Sequence, residues 1–276
     1  MVVRGRNFWT GLFAALIAAS VIAQPVGAET PRRFQSETPA PRIDYWQKRQ
    51  TEIFTQLQST KDLSAMKLVF IGDSITDFWH FDENPWFKGK WMGKPIWDES
   101  FGETAGKNHA LNTGISGDRL EHVLYRLTPI ADGGMGMLDR PDLQPEFLVI
   151  MLGINNTFDG EEPLADSLFS GVKAAVDTAH KVKPNAKILL QSILPTDDPS
   201  KNAQTVLVVN QRLAALAKHR DYAGFTTYLD LYSGFIDQQG VQRKELFIDG
   251  LHPNRDGYRV WRDLLVRRLE IARGSQ

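Results

Sequence analysis

The chain has 276 residues, 42% hydrophobic and 24% charged, with a formal net charge of −1. That length and apolar content support a sizeable core and exclude a disordered chain, and the near-neutral balance lacks the basic field that nucleic acid or an anionic membrane surface would require. The absence of cysteine excludes disulfides, thiolate metal sites and a cysteine nucleophile.

The first residues read as a signal peptide. Arg4 and Arg6 form a positive start, Phe8 to Ala23 carries no charge, and Val26-Gly27-Ala28 offers the small residues of a cleavage site. A retained membrane anchor is the alternative, but the uncharged run of 16 residues falls short of the roughly 18–20 that cross a bilayer. Cleavage after Ala28 removes two arginines, leaving 30 basic and 33 acidic side chains. The expected location is therefore outside the cytoplasm, periplasmic or secreted, with no stable membrane insertion. Residues 29–41, rich in proline and polar groups, read as a flexible linker. Residues 42–276 read as one domain.

A first helix is predicted over 42–60, with Ile43, Trp46, Ile53, Phe54 and Leu57 on its apolar side. Short apolar runs follow at 67–71, 109–113, 146–152, 187–193 and 225–230. Phe147 to Leu152 is apolar on both faces, as a strand covered on both sides must be. Helical periodicity occupies 118–131, 164–182, 203–219 and 255–272. Alternating strands and helices with doubly buried strands predict an α/β fold, a three-layer α/β/α sandwich on a five-stranded parallel sheet. Residues 78–106 break the rhythm and read as a long loop beside the carboxyl end of the first strand. Four of the six tryptophans beyond residue 28 lie there: Trp79, Trp86, Trp91 and Trp97. They could offer stacking faces to a substrate or form a minicore that holds the loop shut.

Four segments can carry chemistry, and each follows or ends an element. Gly72-Asp73-Ser74-Ile75-Thr76 comes directly after the first strand, where a turn can present a serine hydroxyl to a cleft. It lacks the second glycine of the G-x-S-x-G elbow. Asp249-Gly250-Leu251-His252-Pro253 can supply the base that a serine nucleophile needs, together with a carboxylate to orient the imidazole. None of the other five histidines has this context. Asn112 to Asp118 and Gly153-Ile154-Asn155-Asn156 follow the second and third strands, with glycines and an asparagine suited to donating hydrogen bonds to an oxyanion. Each segment alone is also an ordinary turn.

Together the four resemble the blocks of the SGNH hydrolases, the GDSL esterase/lipase family, over roughly residues 66–270. Ser74 matches the family's nucleophile, Asp249 and His252 its D-x-x-H block, and Gly117 and Asn155 its oxyanion residues. Pro253 to Tyr258 extends the match, and Ile75 replaces the leucine of the literal GDSL. The resemblance implies a flavodoxin-like fold with strand order 2-1-3-4-5, a Ser74–His252–Asp249 triad and an oxyanion hole built by Ser74, Gly117 and Asn155. It also implies that no metal or organic cofactor is needed. The wording of 112–127 and of the Gly-Ile-Asn-Asn block is most similar to the platelet-activating-factor acetylhydrolase subunit type. This implies short, acetyl-like acyl groups and a small-molecule or carbohydrate ester as substrate. A lysophospholipase or thioesterase is the second enzymatic reading. A non-catalytic carbohydrate-binding module is a third, opposed by the complete set of catalytic residue types.

Overall fold

The pattern of apolar residues sets where strands and helices alternate along the chain. The computed structural model describes residues 1–2, 33–43 and 45–274, so the expected signal peptide lies almost wholly outside the described residues. Arg33–Gln276 forms one compact unit. In chain order its main elements are α1 (Tyr45–Ser59), β1 (Leu68–Gly72), the single turn α2 (Ser74–Asp77), α3 (Lys94–Ser100), β2 (Ala110–Asn112) and α4 (Leu120–Leu127). Then come β3 (Phe147–Met151), α5 (Leu164–Val182), β4 (Lys187–Gln191), α6 (Leu207–Lys218), β5 (Thr226–Leu229) and α7 (Arg255–Gly274).

The five strands form one parallel sheet in the order β2-β1-β3-β4-β5. β1 and β3 are buried at every position, which is why both lack the polar alternation of a one-sided strand. The chain moves one way across the sheet from β1 to β2 and the other way from β2 to β5. Right-handed crossovers therefore send the intervening helices to opposite faces. α4 packs on α5 and α5 on α6, whereas α3 packs on α7. Each long helix buries a single stripe. In α5 it is Leu168, Gly171, Val172, Ala175, Val176 and Ala179, and in α7 it is Tyr258, Trp261, Leu265 and Leu269.

Three local expectations need correction. The first helix begins at Tyr45, and Ile43 lies before it, exposed, so it is not part of the apolar side that Trp46, Ile53 and Leu57 bury. The segment 78–106 is not all loop. It contains α3, and its aromatic residues reach the core: Phe70 of β1 meets Trp97 and Phe101 at centroid distances of 4.9 and 5.2 Å. Residues 33–41, expected as linker, lie against the unit instead. Ser36 is buried with its hydroxyl donating to Ser167 O at 2.6 Å, Gln35 N donates to Glu161 Oε2 at 2.7 Å, and Ala40 N donates to Glu121 O at 2.9 Å. Proline-rich composition marks a segment without periodic structure; these bonds to distant residues are what hold it in place.

Candidate active site

Parallel strands deliver their following turns to one edge of the sheet, and the four segments meet there. β1 ends at Gly72, where an added Cβ would lie 1.9 Å from Thr76 Oγ1, so the chain can turn this sharply only with glycine. Asp73 caps the turn by accepting from Ile75 N at 3.0 Å, and Ser74 opens α2. Burial pushes the Asp73 carboxyl up to about 7, opposed by the Ile75 hydrogen bond and by the charge of His252.

The D-x-x-H spacing has a local cause. Asp249 Oδ1 accepts from the backbone N–H of Leu251 at 2.7 Å and of His252 at 2.6 Å, which folds the loop and brings the ring onto the same carboxylate. Asp249 Oδ2 is 2.8 Å from His252 Nδ1, and His252 Nε2 is 3.0 Å from Ser74 Oγ. Phe78 stacks on the imidazole with centroids 4.8 Å apart, and Tyr258 of α7 donates to Ile75 O at 2.7 Å, tying the Ser74 turn to the helix that follows the histidine. Burial alone would raise the Asp249 carboxyl, but the hydrogen bonds and charge of His252 outweigh it and hold it below the usual carboxylate range.

Gly117 sits in a turn closed by Asp118 N donating to Ile115 O at 3.1 Å. Its φ of +78° belongs to the left-handed region, and a glycine with that φ at the third turn position marks a type II turn. Among the described residues, the Ser74 and Gly117 amides have no acceptor in the protein. Asn155 spends one amide hydrogen on Asp118 O at 2.8 Å and lines the pocket with Ser74, Gly117 and His252. Asn156 points elsewhere, accepting from Leu120 N and donating to Glu121 Oε2, both at 2.9 Å. The pocket holds about 340 Å³ and is walled by Tyr45, Phe78, Trp86, Ser116 and Leu251 as well.

The four tryptophans separate. Trp86 lines the pocket and is 50% exposed, edge-on to Tyr45 at 5.1 Å. Trp79 is fully buried between Tyr258 and Trp261, at 4.4 and 5.2 Å, and Trp97 packs on Phe70 and Phe101. Trp79 is part of the core and Trp97 packs against it, so for these two the structure shows the minicore alternative and no place at the pocket. Trp91 lies outside this pocket beneath the Arg255 guanidinium, which is 5.3 Å from its ring centroid.

Several groups around the site carry no motif that the sequence reading recognised. Asp77 is a buried hub, accepting from Tyr45 Oη at 2.9 Å, Arg49 Nε at 2.9 Å, Ser116 N at 2.9 Å and Ser116 Oγ at 2.6 Å. Burial would raise its pKa, but the bond from His80 and the charge of Arg49 bring it below the usual range. Arg126, fully buried, donates to Asp118 Oδ2 at 2.7 Å and to Thr113 O at 2.8 Å, joining the turn to the end of β2. The sequence signal was present but indistinct: Asp77 lies three residues past Ser74, and Arg126 is a charge among the apolar residues of an amphipathic helix. Among the described residues, no three His, Asp or Glu side chains group as a metal ion would need.

Residues 70–260 match the GDSL-like lipase/acylhydrolase family. The chain is similar to platelet-activating factor acetylhydrolase IB subunit alpha1 of Rattus norvegicus, with 30% identity over 218 residues, 76% of this chain and 79% of that one. The Homo sapiens subunit of the same name is 31% identical over 215 residues, with the same shares covered, 76% and 79%. Among solved structures, a member of the lipolytic protein G-D-S-L family from Veillonella parvula superposes with a TM-score of 0.54 at 19% identity, covering 74% of this chain and 97% of that one. A variant of an acetyl-xylooligosaccharide esterase from Geobacillus gives a TM-score of 0.52 at 19% identity, covering 75% and 95%. These two share the fold.

Proposed function

The chain belongs to the GDSL-like lipase/acylhydrolase family and is a carboxylic ester hydrolase, and from that premise we propose that it is a serine esterase with Ser74 as nucleophile, His252 as base and Asp249 as the group that orients the imidazole. The observation that carries this reading is the hydrogen-bonded series from Asp249 through His252 to the Ser74 hydroxyl, facing a pocket. Ser74 Oγ adds to the ester carbonyl carbon while its proton passes to His252 Nε2. The carbonyl electron pair moves onto oxygen, and that oxyanion is received by the amide N–H groups of Ser74 and Gly117 and the side-chain amide of Asn155. Asp249, held ionised, stabilises the imidazolium. Collapse of the intermediate expels the alcohol, which takes the proton from His252. Water then attacks the acyl-enzyme by the same route, releasing the acid and restoring Ser74.

The acyl group in this reading is short, acetyl above all, and the alcohol is a carbohydrate or a similar polyol. The name of the 30%-identical relatives, an acetylhydrolase, supports the first part. The exposed Trp86 beside Ser74 supports the second, since an aromatic face suits the flat apolar side of a sugar. The exposed apolar pair Trp86 and Phe87 also favours the lysophospholipase or thioesterase reading, because an acyl chain could lie along it. Hydrolysis of p-nitrophenyl esters from C2 to C12 decides between them: kcat/KM falling with length supports the acetyl reading, and a steady climb replaces it. Labelling by a fluorophosphonate probe tests the enzyme reading itself, since a pure binding module would stay unlabelled. Export after cleavage at Ala28 completes the proposal. A mature N-terminus at Glu29 in protein from the native host is the expected mass-spectrometric result, and an intact residue 1 would contradict it.

A further inference from the structure

We propose that Arg42, a residue before the segment that matches the family, is a positioning residue that aims the Gly117 N–H into the pocket. The inference rests on the serine-esterase reading, and in particular on Gly117 as an oxyanion donor.

The argument starts from one peptide plane. The carbonyl of Ser116 and the N–H of Gly117 belong to the same planar trans unit, so they point in opposite directions. Whatever holds that carbonyl fixes the direction of that N–H. Arg42 Nη1 donates to Ser116 O at 3.2 Å and to Asp118 Oδ1 at 3.1 Å, bridging the two residues that flank Gly117. Among the described residues, no other group donates to Ser116 O. The guanidinium also lies directly against the glycine: an added Cβ would be 3.0 Å from Arg42 Nη2.

The pin is needed because the turn has two states. A type II turn differs from a type I turn by a rotation of its central peptide, and glycine at the third position tolerates both. In the observed state Gly117 has φ +78°. Rotation of the 116–117 peptide would carry the Gly117 N–H away from the pocket and turn the Ser116 carbonyl oxygen toward it, opposing a negative charge. The neighbouring bonds do not prevent this. Asp77 holds Ser116 through its N–H and hydroxyl, and Arg126 and Arg42 hold the Asp118 carboxylate, but only Arg42 reaches the rotating carbonyl. Its charge also polarises the peptide, which strengthens the opposite N–H as a donor. The strap 33–43 is thus part of the reactive machinery through its docked end.

The test is steady-state hydrolysis of p-nitrophenyl acetate by the full chain carrying Arg42→Ala, Arg42→Gln or Arg42→Lys, with Ser74→Ala in the same assay and melting temperatures for all. Arg42→Ala and Arg42→Gln should lower kcat about tenfold, the loss expected for one charge-assisted hydrogen bond. KM should stay within about twofold, because the aimed N–H acts in the transition state. Arg42→Lys, which keeps one charged nitrogen, should recover part of kcat. Combining Arg42→Ala with Asn155→Ala should cost less than the product of the two single effects, as both act on one oxyanion. Wild-type kcat in folded Arg42→Gln overturns the inference, as does a higher KM at unchanged kcat, or equal loss in Arg42→Lys and Arg42→Ala. Failure of the esterase reading is seen separately, as wild-type turnover in Ser74→Ala.

Discussion

At the scale of single residues, the site pairs atoms whose chemistry depends on one another. Ser74→Ala should abolish nearly all turnover of p-nitrophenyl acetate while the fold persists, because among the described residues the serine hydroxyl bonds to His252 alone. Activity close to wild type would end the assignment. Asp249→Asn should lower kcat by about 10⁴, the cost of the same change in another Ser-His-Asp triad, where the wrong imidazole tautomer results. Here the carboxylate also folds the loop through Leu251 N and His252 N, so circular dichroism must accompany the kinetics. Asn155→Ala should lower kcat by about 10²–10³ and change KM less, as loss of an oxyanion side chain does. Asn156→Ala should act on stability instead. Its amide is buried and bridges Leu120 N and Glu121, and leaving such partners unpaired costs about 1–3 kcal/mol. If Asn156→Ala damaged kcat more than Asn155→Ala, the roles would be exchanged. The one-turn segment after β3 directs the two side chains apart, Asn155 to the pocket and Asn156 to Leu120 and Glu121.

At the scale of elements, the excursion 78–106 divides one composition between two tasks. Trp79 and Trp97 fill the space between β1, α3 and α7, whereas Trp86 stands over the pocket. Trp79→Ala should therefore destabilise by about 3–5 kcal/mol, the usual cost of emptying a buried aromatic site, with kcat retained at temperatures where the variant is folded. Trp86→Ala should leave the melting temperature nearly unchanged and alter KM and acyl-length preference. Thermal melts and the C2–C12 ester series check both, and the reverse pattern would return Trp79 to the substrate-binding group. The sequence could not separate the four tryptophans, because no periodicity runs through the excursion and each ring's partner lies in another element. The strands were legible for the opposite reason: a doubly buried strand needs an unbroken apolar run, as Phe147 to Met151 has.

At the scale of the whole molecule, ionisable groups buried around the Gly117 turn set a pH dependence. Burial lowers the pKa of His122 to about 4, and Arg42, Arg119 and Arg126 add to the effect against Glu121. Its Nδ1 accepts from Arg119 N at 3.0 Å, which requires the neutral ring. An ordinary histidine titrates near 6.5, so in the window between the two values the unfolded chain binds the proton more readily. The stability contributed by neutral His122 is complete above about 6.5 and is lost as pH falls toward about 4. His122→Gln, which retains an acceptor, should melt less steeply with acid than the wild type, and parallel curves from pH 4 to 8 would refute this. The sequence by itself determined the alternation of elements, the parallel α/β architecture through its doubly apolar strands, and the positions of Ser74, Asp249 and His252 at strand or loop ends. Those features are encoded within a few residues, by periodicity and by the short reach of one carboxylate over its own loop. Only the tertiary structure decided which tryptophan meets the pocket, that residues 33–43 dock, and that Arg42, Asp77 and Arg126 brace the Gly117 turn. Those contacts join residues far apart in the chain, 74 positions for Arg42 and Ser116 and 131 for Ser36 and Ser167. Distances of that kind follow from how layers pack, which no local pattern of residue types records.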